Sequence, residues 1–443
     1  MNNQAKNLKR LLGRWDSVAI SIGIVIGVGI FRVPAEVAKF LTTPGLIILS
    51  WLVGGLICLL GVLCYSELST SLPQTGGNYV YLRESYGRGV GFLFGWTELL
   101  VIRTGSIAAV AFVSAQYLQS LLGLNKIPVK LIATSVVFIL SFINMWGLRP
   151  GKIFQNSSTL AKILALAGII LFGLLSKKGS ILNFSSQEVV WPDKGILSLL
   201  ALALIPILWT YGGWHESTFV TEETKDYRRS LPFSLITTIF IVTSIYTAIN
   251  LVYIYLVPVR EIANSELIAS NVMQILYGAK GRKILEILVV ISSLGCINGM
   301  IITGSRVTYA MAKDNPVFRY LGEINPRHSI PIRSILINAI WATVLIIWGT
   351  FNQLLFFTGV VTWLFFTLAV AGIFILRYKY PQLERPFKVT GYPVVPAVFI
   401  LICAALVINT LLCYPKESLF GLCLLISGVP VFIFSQRKGG GLK

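Results

Sequence analysis

Apolar residues fall in runs of about 20, the length that carries an α-helix across roughly 30 Å of hydrocarbon. The runs recur along the whole chain, separated by short polar stretches, with no insert large enough for a soluble domain. The pattern predicts about twelve spans, at 17–42, 45–70, 90–122, 127–147, 153–175, 195–223, 231–257, 282–312, 333–350, 353–378, 394–413 and 418–436.

The first run contains an irregularity. Its "IGVGIF", Ile26 to Phe31, sets Gly27 and Gly29 in mid-span. Each Gly weakens a helix interior by roughly 0.5–1 kcal/mol relative to Ala, and lipid offers no water to the exposed backbone. The sixth run repeats the feature in "IPILWTYGGWHESTF", with Pro206 upstream and Gly212 and Gly213 at its centre. If spans one to five and six to ten are repeats, the odd number per copy forces the second to enter the membrane inverted. Glycine-interrupted segments at matching places in two halves are the best sequence pointer to a transporter's central site. Pro34 supports the first break, because a half-helix restarting near Ile30 or Phe31 places it in a first turn, where its missing N–H costs nothing. Glycines that only let helices pack closely are the competing explanation.

A half-helix that begins at a break aims three or four unsatisfied N–H groups and about half a unit of positive charge into the space beside it, which suits a carboxylate. Half-helices ending near Ile26 and Trp209 offer orphan carbonyls, which suit an ammonium. Donors facing acceptors describe an α-amino acid zwitterion. The predicted substrate contacts are Ile26, Gly27, Val28, Gly29 and Ile30 in the first break and Trp209, Thr210, Tyr211, Gly212 and Gly213 in the second. Trp209 is the expected gate, and the two glycines leave room beneath the side chain. For Tyr211, Trp214 and His215, helix packing is an equal alternative. Glu98 and Glu216 lie in spans, but neither is clearly placed for a cationic side chain, so neutral substrates are expected.

Lys162 lies about 12–15 Å into the fifth span at ~1.5 Å per residue, where a lysine costs about 2.5–3.5 kcal/mol and should face a partner inside the protein. Its expected partners are carbonyls at the end of the first half-helix and the hydroxyls of Ser292 and Ser293. There the ammonium stands in for a sodium ion or couples a proton to opening; snorkelling toward the surface is the alternative. Arg103 lies five residues from Glu98, an imperfect helical offset, and is expected in a structural ion pair or carbonyl cap. Glu222 and Glu223 are expected to pair with Arg228 or Arg229, or to form an inner gate.

Composition agrees with the spans: the 443 residues are 55% apolar and 12% charged, against about a quarter charged in soluble chains. The net charge of +19 follows topology rather than nucleic-acid binding. With the N-terminus inside, cytoplasmic segments hold about 22 Lys and Arg and external ones about 11, as the positive-inside rule expects. The six cysteines sit in or beside apolar runs without metal-site spacing. With His215 and His328 the only histidines, neither a metal nor a cofactor is expected. The basic start (Lys6, Lys9, Arg10, Arg14) resembles a signal peptide, but the apolar run after it is too long and lacks a cleavage site, so it is expected to stay. A membrane enzyme would need convergent His, Asp or Cys groups, and a channel would need a ring-lined pore. A non-transporting sensor would share every feature described.

The segments "IGVGIF" (26–31), "YSELSTSLPQTGGNYVYL" (65–82), "WTELLVIRTGSIAAVAF" (96–112), "AKILAL" (161–166), "YGGWHESTFVTEE" (211–223) and "CINGMIITGSR" (296–306) together resemble the amino acid–polyamine–organocation superfamily. Within it they are most similar to the L-type amino acid transporters, the light subunits of heteromeric exchangers, and their bacterial relatives. The likeness covers about residues 15–435 and implies an all-α, LeuT-like membrane fold. That fold has two inverted five-helix repeats, at 17–175 and 195–378, and two further helices at 394–436. Together these make one transporter domain, 15–436, between a cytoplasmic segment 1–14 and a cytoplasmic tail 437–443. It also implies alternating access and exchange of neutral amino acids. The substrate carboxylate is then held by the amides of Gly27, Val28 and Gly29, the amino group by carbonyls near Ile26 and Trp209, and the sodium-replacing amine is Lys162. Val28 departs from the small or hydroxyl residue usual between these glycines. The loop "LGLNKIP" lacks the cysteine that tethers animal light subunits to a heavy chain, so no such partner is expected. The expected protein is a sodium-independent exchanger of neutral L-amino acids in a cell (inner) membrane, both termini cytoplasmic, with proton symport through Lys162 as the rival.

Overall fold

The computed structural model describes residues 14–74, 76–146, 152–185, 195–216, 218, 225–314, 316–323, 325 and 331–438. Glu222, Glu223 and His328 lie outside them, as does the side chain of Arg306. The first run is broken: α1 (Arg14–Val25) stops mid-span, a 3₁₀ turn covers Gly29–Phe31, and α2 (Val33–Phe40) restarts with Pro34 in its first turn. The restart comes two or three residues later than predicted, because the tighter turn is interposed.

Next come α3 (Pro44–Ser71), the short α4 (Asn78–Tyr86) and α5 (Arg88–Thr97), which runs through a π-helical turn at Glu98–Ile102 into α6 (Arg103–Leu122). Then follow α7 (Val129–Met145), α8 (Lys152–Leu175) and α9 (Ile196–Thr210), where the second break falls. The remainder is α10 (Tyr227–Leu256), α11 (Val259–Ala263), α12 (Ile268–Asp314), which bends at Gly278, α13 (Ile332–Trp348), α14 (Phe351–Lys379), α15 (Val394–Cys413) and α16 (Pro415–Lys438). Eight helical segments are long and apolar enough to cross a membrane. Three shorter apolar helices and the α1–α2 pair supply the rest of the predicted spans. The protein is a multi-pass, all-α membrane protein, and among the described residues there is no β-strand.

Two packing groups organise the helices. In one, α1 and α3 lie on α10 while α2 and α3 lie on α9; in the other, α6 packs on α7, α12 and α13. α8 touches both α10 and α12, and α14 reaches from α6 to α9. Sequence periodicity missed α4 and α11, which are too short and polar to read as spans. α4 packs on α5 and α14.

A buried carboxylate joins three chain segments at the end of the bundle where α1 begins. Glu67 accepts from Arg377 Nε (2.9 Å) and Nη2 (2.7 Å) and from the Val389 amide (2.8 Å). Arg385 Nε stands 3.6 Å away. Every lone-pair direction of a carboxylate taken out of water is therefore met by a donor. Glu67→Ala, which takes from Arg377 both of its carboxylate bonds, should destabilise the fold by about 3 kcal/mol. Detergent-phase thermal unfolding reads this as a lower melting temperature, and an unchanged one would overturn the assignment.

Candidate functional site

The two breaks face each other across a cavity of about 240 Å³. At the first break the Ile26 amide still bonds to Ile22 (2.8 Å) and the Gly27 amide turns back to Val25 O (2.7 Å). The next bonds are those of the 3₁₀ turn, Phe31 N to Val28 O (3.1 Å) and Arg32 N to Gly29 O (3.0 Å). Between them, the amides of Val28, Gly29 and Ile30 find no acceptor among the described residues. Gly27, Val28 and Gly29 line the cavity, whereas the Ile26 and Ile30 side chains are buried behind it.

At the second break the Tyr211 amide bonds to Ile207 (3.0 Å) and that of Gly212 to Trp209 O (2.9 Å). Gly213 then takes φ +99°, a conformation side chains rarely allow. Trp209, Thr210, Gly212 and Gly213 line the cavity. Tyr211 does not: it is buried, with its hydroxyl donating to Trp51 O (3.0 Å), so of the equal alternatives its place is in the packing. The carbonyls of Ile24 and Leu208 lose their helical donors at these breaks, since Val28 N is unbonded and Gly212 N turns to Trp209. Both residues line the cavity.

The glycines also serve packing. A Cβ on Gly29 would meet Thr210 Oγ1 and Cγ2 at 2.9 Å, and one on Gly213 would meet Ile24 Cγ2 at 2.8 Å. The broken helices thus touch directly at both breaks. Tyr246 of α10, which sequence reading passed over as one aromatic among many, ties them together. Its hydroxyl lies 3.0 Å from Val25 O and 3.2 Å from Thr210 O, so one donor spans the ends of both half-helices.

Trp209, Phe351 and Arg32 stand together on the α2 side of the first break. The Trp209 ring meets Phe351 edge-on at 5.9 Å, and the Arg32 guanidinium stands 5.3 Å over the same ring. Arg32 is held by Glu36 at 2.7 Å, and Glu36 by Lys39 at 2.9 Å.

Toward the end where α1 begins, the wall includes Asn78, Glu98, Arg103, His215 and Glu216. Arg103 bonds Glu98 Oε1 through Nε (2.9 Å) and Nη2 (2.8 Å), and Glu216 Oε1 through Nη1 (3.0 Å). The five-residue spacing, poor in an α-helix, fits the π turn between the two residues, whose repeat is i to i+5. The turn's surplus carbonyls are also met: Thr104 Oγ1 donates to Leu99 O (2.8 Å) and Trp341 Nε1 to Leu100 O (2.6 Å).

The structure places Lys162 differently from expectation. It is buried, and its single hydrogen bond among the described residues goes to Cys296 Sγ at 3.5 Å, not to Ser292 or Ser293. Lys162 stands level with Cys296, one turn of α12 beyond Ser292. Ser293 points to Ser114 Oγ (2.9 Å), and Ser292 Oγ has no partner among the described residues. Lys162 does not line the cavity; Cys296 does, so the thiol separates the amine from the breaks.

Broken helices meeting at mid-span around one cavity define a secondary-transporter fold. The family model described as amino acid permease matches residues 12–426, and the chain belongs to that family. It is 32% identical to the human b(0,+)-type amino acid transporter 1, over 98% of this chain and 90% of that one. It is 31% identical to the large neutral amino acids transporter small subunit 2 of Mus musculus, over 97% of this chain and 82% of that one. These relatives are transporters, not enzymes.

Removing the hydroxyl that spans the two half-helix ends should loosen them. Tyr246→Phe is expected to cost about 1 kcal/mol and to speed amide exchange in 22–30 and 207–213 selectively. Exchange that rises evenly along the chain, or nowhere, would count against the bridging role.

Proposed function

We propose that the chain moves neutral L-amino acids across a cell membrane by sodium-independent exchange. The observation that carries the reading is the run of unbonded amides at Val28, Gly29 and Ile30 beside the cavity. Buried N–H groups are costly to leave unmade, so the place favours an occupant that accepts several hydrogen bonds at once, as a carboxylate does. The carbonyls of Ile24 and Leu208 take the ammonium of the same molecule, and its side chain extends toward Gly212 and Gly213. Trp209, backed by Phe351, is the gate on the α2 side. Ile26, Ile30 and Tyr211 contribute backbone and packing behind these contacts.

Lys162 stands in place of a cation between α8 and α12 and keeps transport independent of sodium. The working motion is repeat one, 17–175, rocking against repeat two, 195–378, with the helices at 394–436 outside the exchange. Both termini are cytoplasmic. The loop 123–128 holds no cysteine, which favours a transporter that works without a disulfide-linked heavy chain.

A thermal-shift screen of the twenty amino acids on purified protein should single out neutral ones, and Gly29→Val should abolish the shift by driving side-chain atoms into Thr210. In proteoliposomes, neutral amino acid inside should stimulate uptake, and replacing sodium by choline should leave uptake unchanged. Uptake into empty vesicles driven by a pH gradient, or loss of uptake in choline, would overturn exchange or sodium independence respectively. Binding without any flux would mark a sensor. Lys162→Ala should cut flux by about tenfold while shifting substrate affinity much less, as expected of a residue that biases a conformational equilibrium rather than touching the ligand.

A further inference from the structure

The two faces of α8 differ. Lys162, Leu166, Ile169 and Gly173 are buried against the protein, whereas Leu164, Leu171, Leu174 and Leu175 are exposed. The helix is locked to α10 near its last turn: a Cβ on Gly173 would run into the Val252 side chain, and the Tyr255 hydroxyl donates to Ser176 O (3.1 Å). Between that lock and mid-helix a groove of about 400 Å³ opens between α8 and α10, with Ile163, Ala167, Ile170, Leu174 and Leu175 on one side and Ile245 on the other. Every side chain in its wall is apolar. With α8 24 residues long, Ile163 lies at its middle, and the stretch from there to Leu175 covers about 18 Å at ~1.5 Å per residue. One leaflet of a bilayer core is about 15 Å deep. Just past Leu175 come Lys177 and Lys178. Lys178 donates to the carbonyls of Ile275 and Leu276, both at 2.9 Å. Lys177 is exposed and has no hydrogen bond or ion pair among the described residues, and the stretch 152–185 holds no Asp or Glu to neutralise it.

We propose that the groove holds one acyl chain of an anionic phospholipid, with the phosphate on Lys177, and that this chain braces the two helices behind the breaks. Apolarity alone does not select it: lipid tails are as apolar as the wall, so a chain gains nothing hydrophobic by leaving bulk lipid. What it gains is contact along a concave surface that would otherwise face a void, and an unpaired ammonium at the groove's end. Charge thus decides which phospholipid enters, and the length of the groove fits one leaflet's chain. Position gives the site its consequence. Ile163 follows Lys162, whose amine reaches Cys296 of α12, and Ile245 precedes Tyr246, whose hydroxyl spans Val25 O and Thr210 O. A chain wedged between Ile163 and Ile245 fixes the spacing of α8 and α10 at the level of these two residues. Ala167 is the smallest side chain in the wall, so a large one in its place fills the groove from the lipid side without touching the cavity.

Native mass spectrometry of the purified full-length protein, offered phosphatidylglycerol or phosphatidylcholine with the same acyl chains, reads the site directly. The wild-type protein should retain one phosphatidylglycerol in preference to phosphatidylcholine, and Lys177→Gln should cut that preference by about fivefold, the weight of one lysine beside an anionic lipid. Ala167→Trp should release the bound lipid, and Ile170→Trp carries the test if that variant fails to fold. In proteoliposomes of phosphatidylcholine, adding an equal part of phosphatidylglycerol should speed amino acid exchange in the wild-type protein and leave Ala167→Trp unchanged. No preferential retention by the wild-type protein, retention that survives the tryptophan variants, or a preference that Lys177→Gln does not alter overturns the site. Lipid retained and released as expected, with exchange indifferent to phosphatidylglycerol, overturns the brace. Absence of amino acid flux in every lipid would instead count against the reading of the cavity, on which lipid retention does not depend.

Discussion

A peptide N–H that has lost its helical acceptor inside a membrane can turn only to other protein groups, to trapped water or to a ligand. Three such groups in succession, at Val28, Gly29 and Ile30, set the terms for the rest of the structure. They must be walled off from lipid, which is why α1 and α2 are enclosed by α9 and α10 and not placed at the rim of the bundle. The carbonyls released by the same interruption need donors. Tyr246 serves Val25 and Thr210 together, and that one hydroxyl makes the two breaks a single structural unit. The groups that remain unbonded beside the cavity are complementary to a zwitterion because every broken helix exposes donors at one end and acceptors at the other.

Irregular backbone is concentrated around this cavity. The π turn at Glu98–Ile102 inserts the extra residue that turns a five-residue spacing into a contact, and the chain meets its surplus carbonyls with Thr104 and Trp341. Elsewhere, apart from the bend at Gly278 and the prolines inside α10 and α16, the long helices run regularly, and stability comes from packing and from clamps such as Glu67 with Arg377. The irregular elements can persist because the regular ones around them over-determine their positions.

Much of this was legible in the sequence because the signals were of kinds that only backbone irregularity explains. Gly27, Gly29, Gly212 and Gly213 in apolar runs marked both interruptions, and Pro34 marked the restart. What was not legible depended on register. Nothing in "WTELLVIRTGS" announces a π turn, so the Glu98–Arg103 spacing read as imperfect, and Glu216, far away in sequence, gave no sign that it meets the same guanidinium. Lys162 was found by its depth, but its neighbour was not, because Ser292, Ser293 and Cys296 differ only in which side of α12 they occupy. Tyr246, Trp51 and Phe351 looked like ordinary aromatics among apolar neighbours, and only the fold sets one of them at the helix ends and another under Arg32. α4 and α11 fell below the length at which hydropathy speaks.

Two explanations for the glycines, exposed backbone and close packing, turn out not to compete. Gly29 lies in the run of unbonded amides and also admits Thr210 at a distance that a Cβ would forbid. Gly213 takes a left-handed conformation at the second break and also admits Ile24. Because the two contacts are reciprocal, each break packing on the residue just before the other, any substitution at one glycine moves the opposite half-helix as well. Each contact sets the glycine backbone of one break against a side chain of the other, so the geometry offered to a carboxylate by the first break and to a side chain by the second is set by the same two contacts.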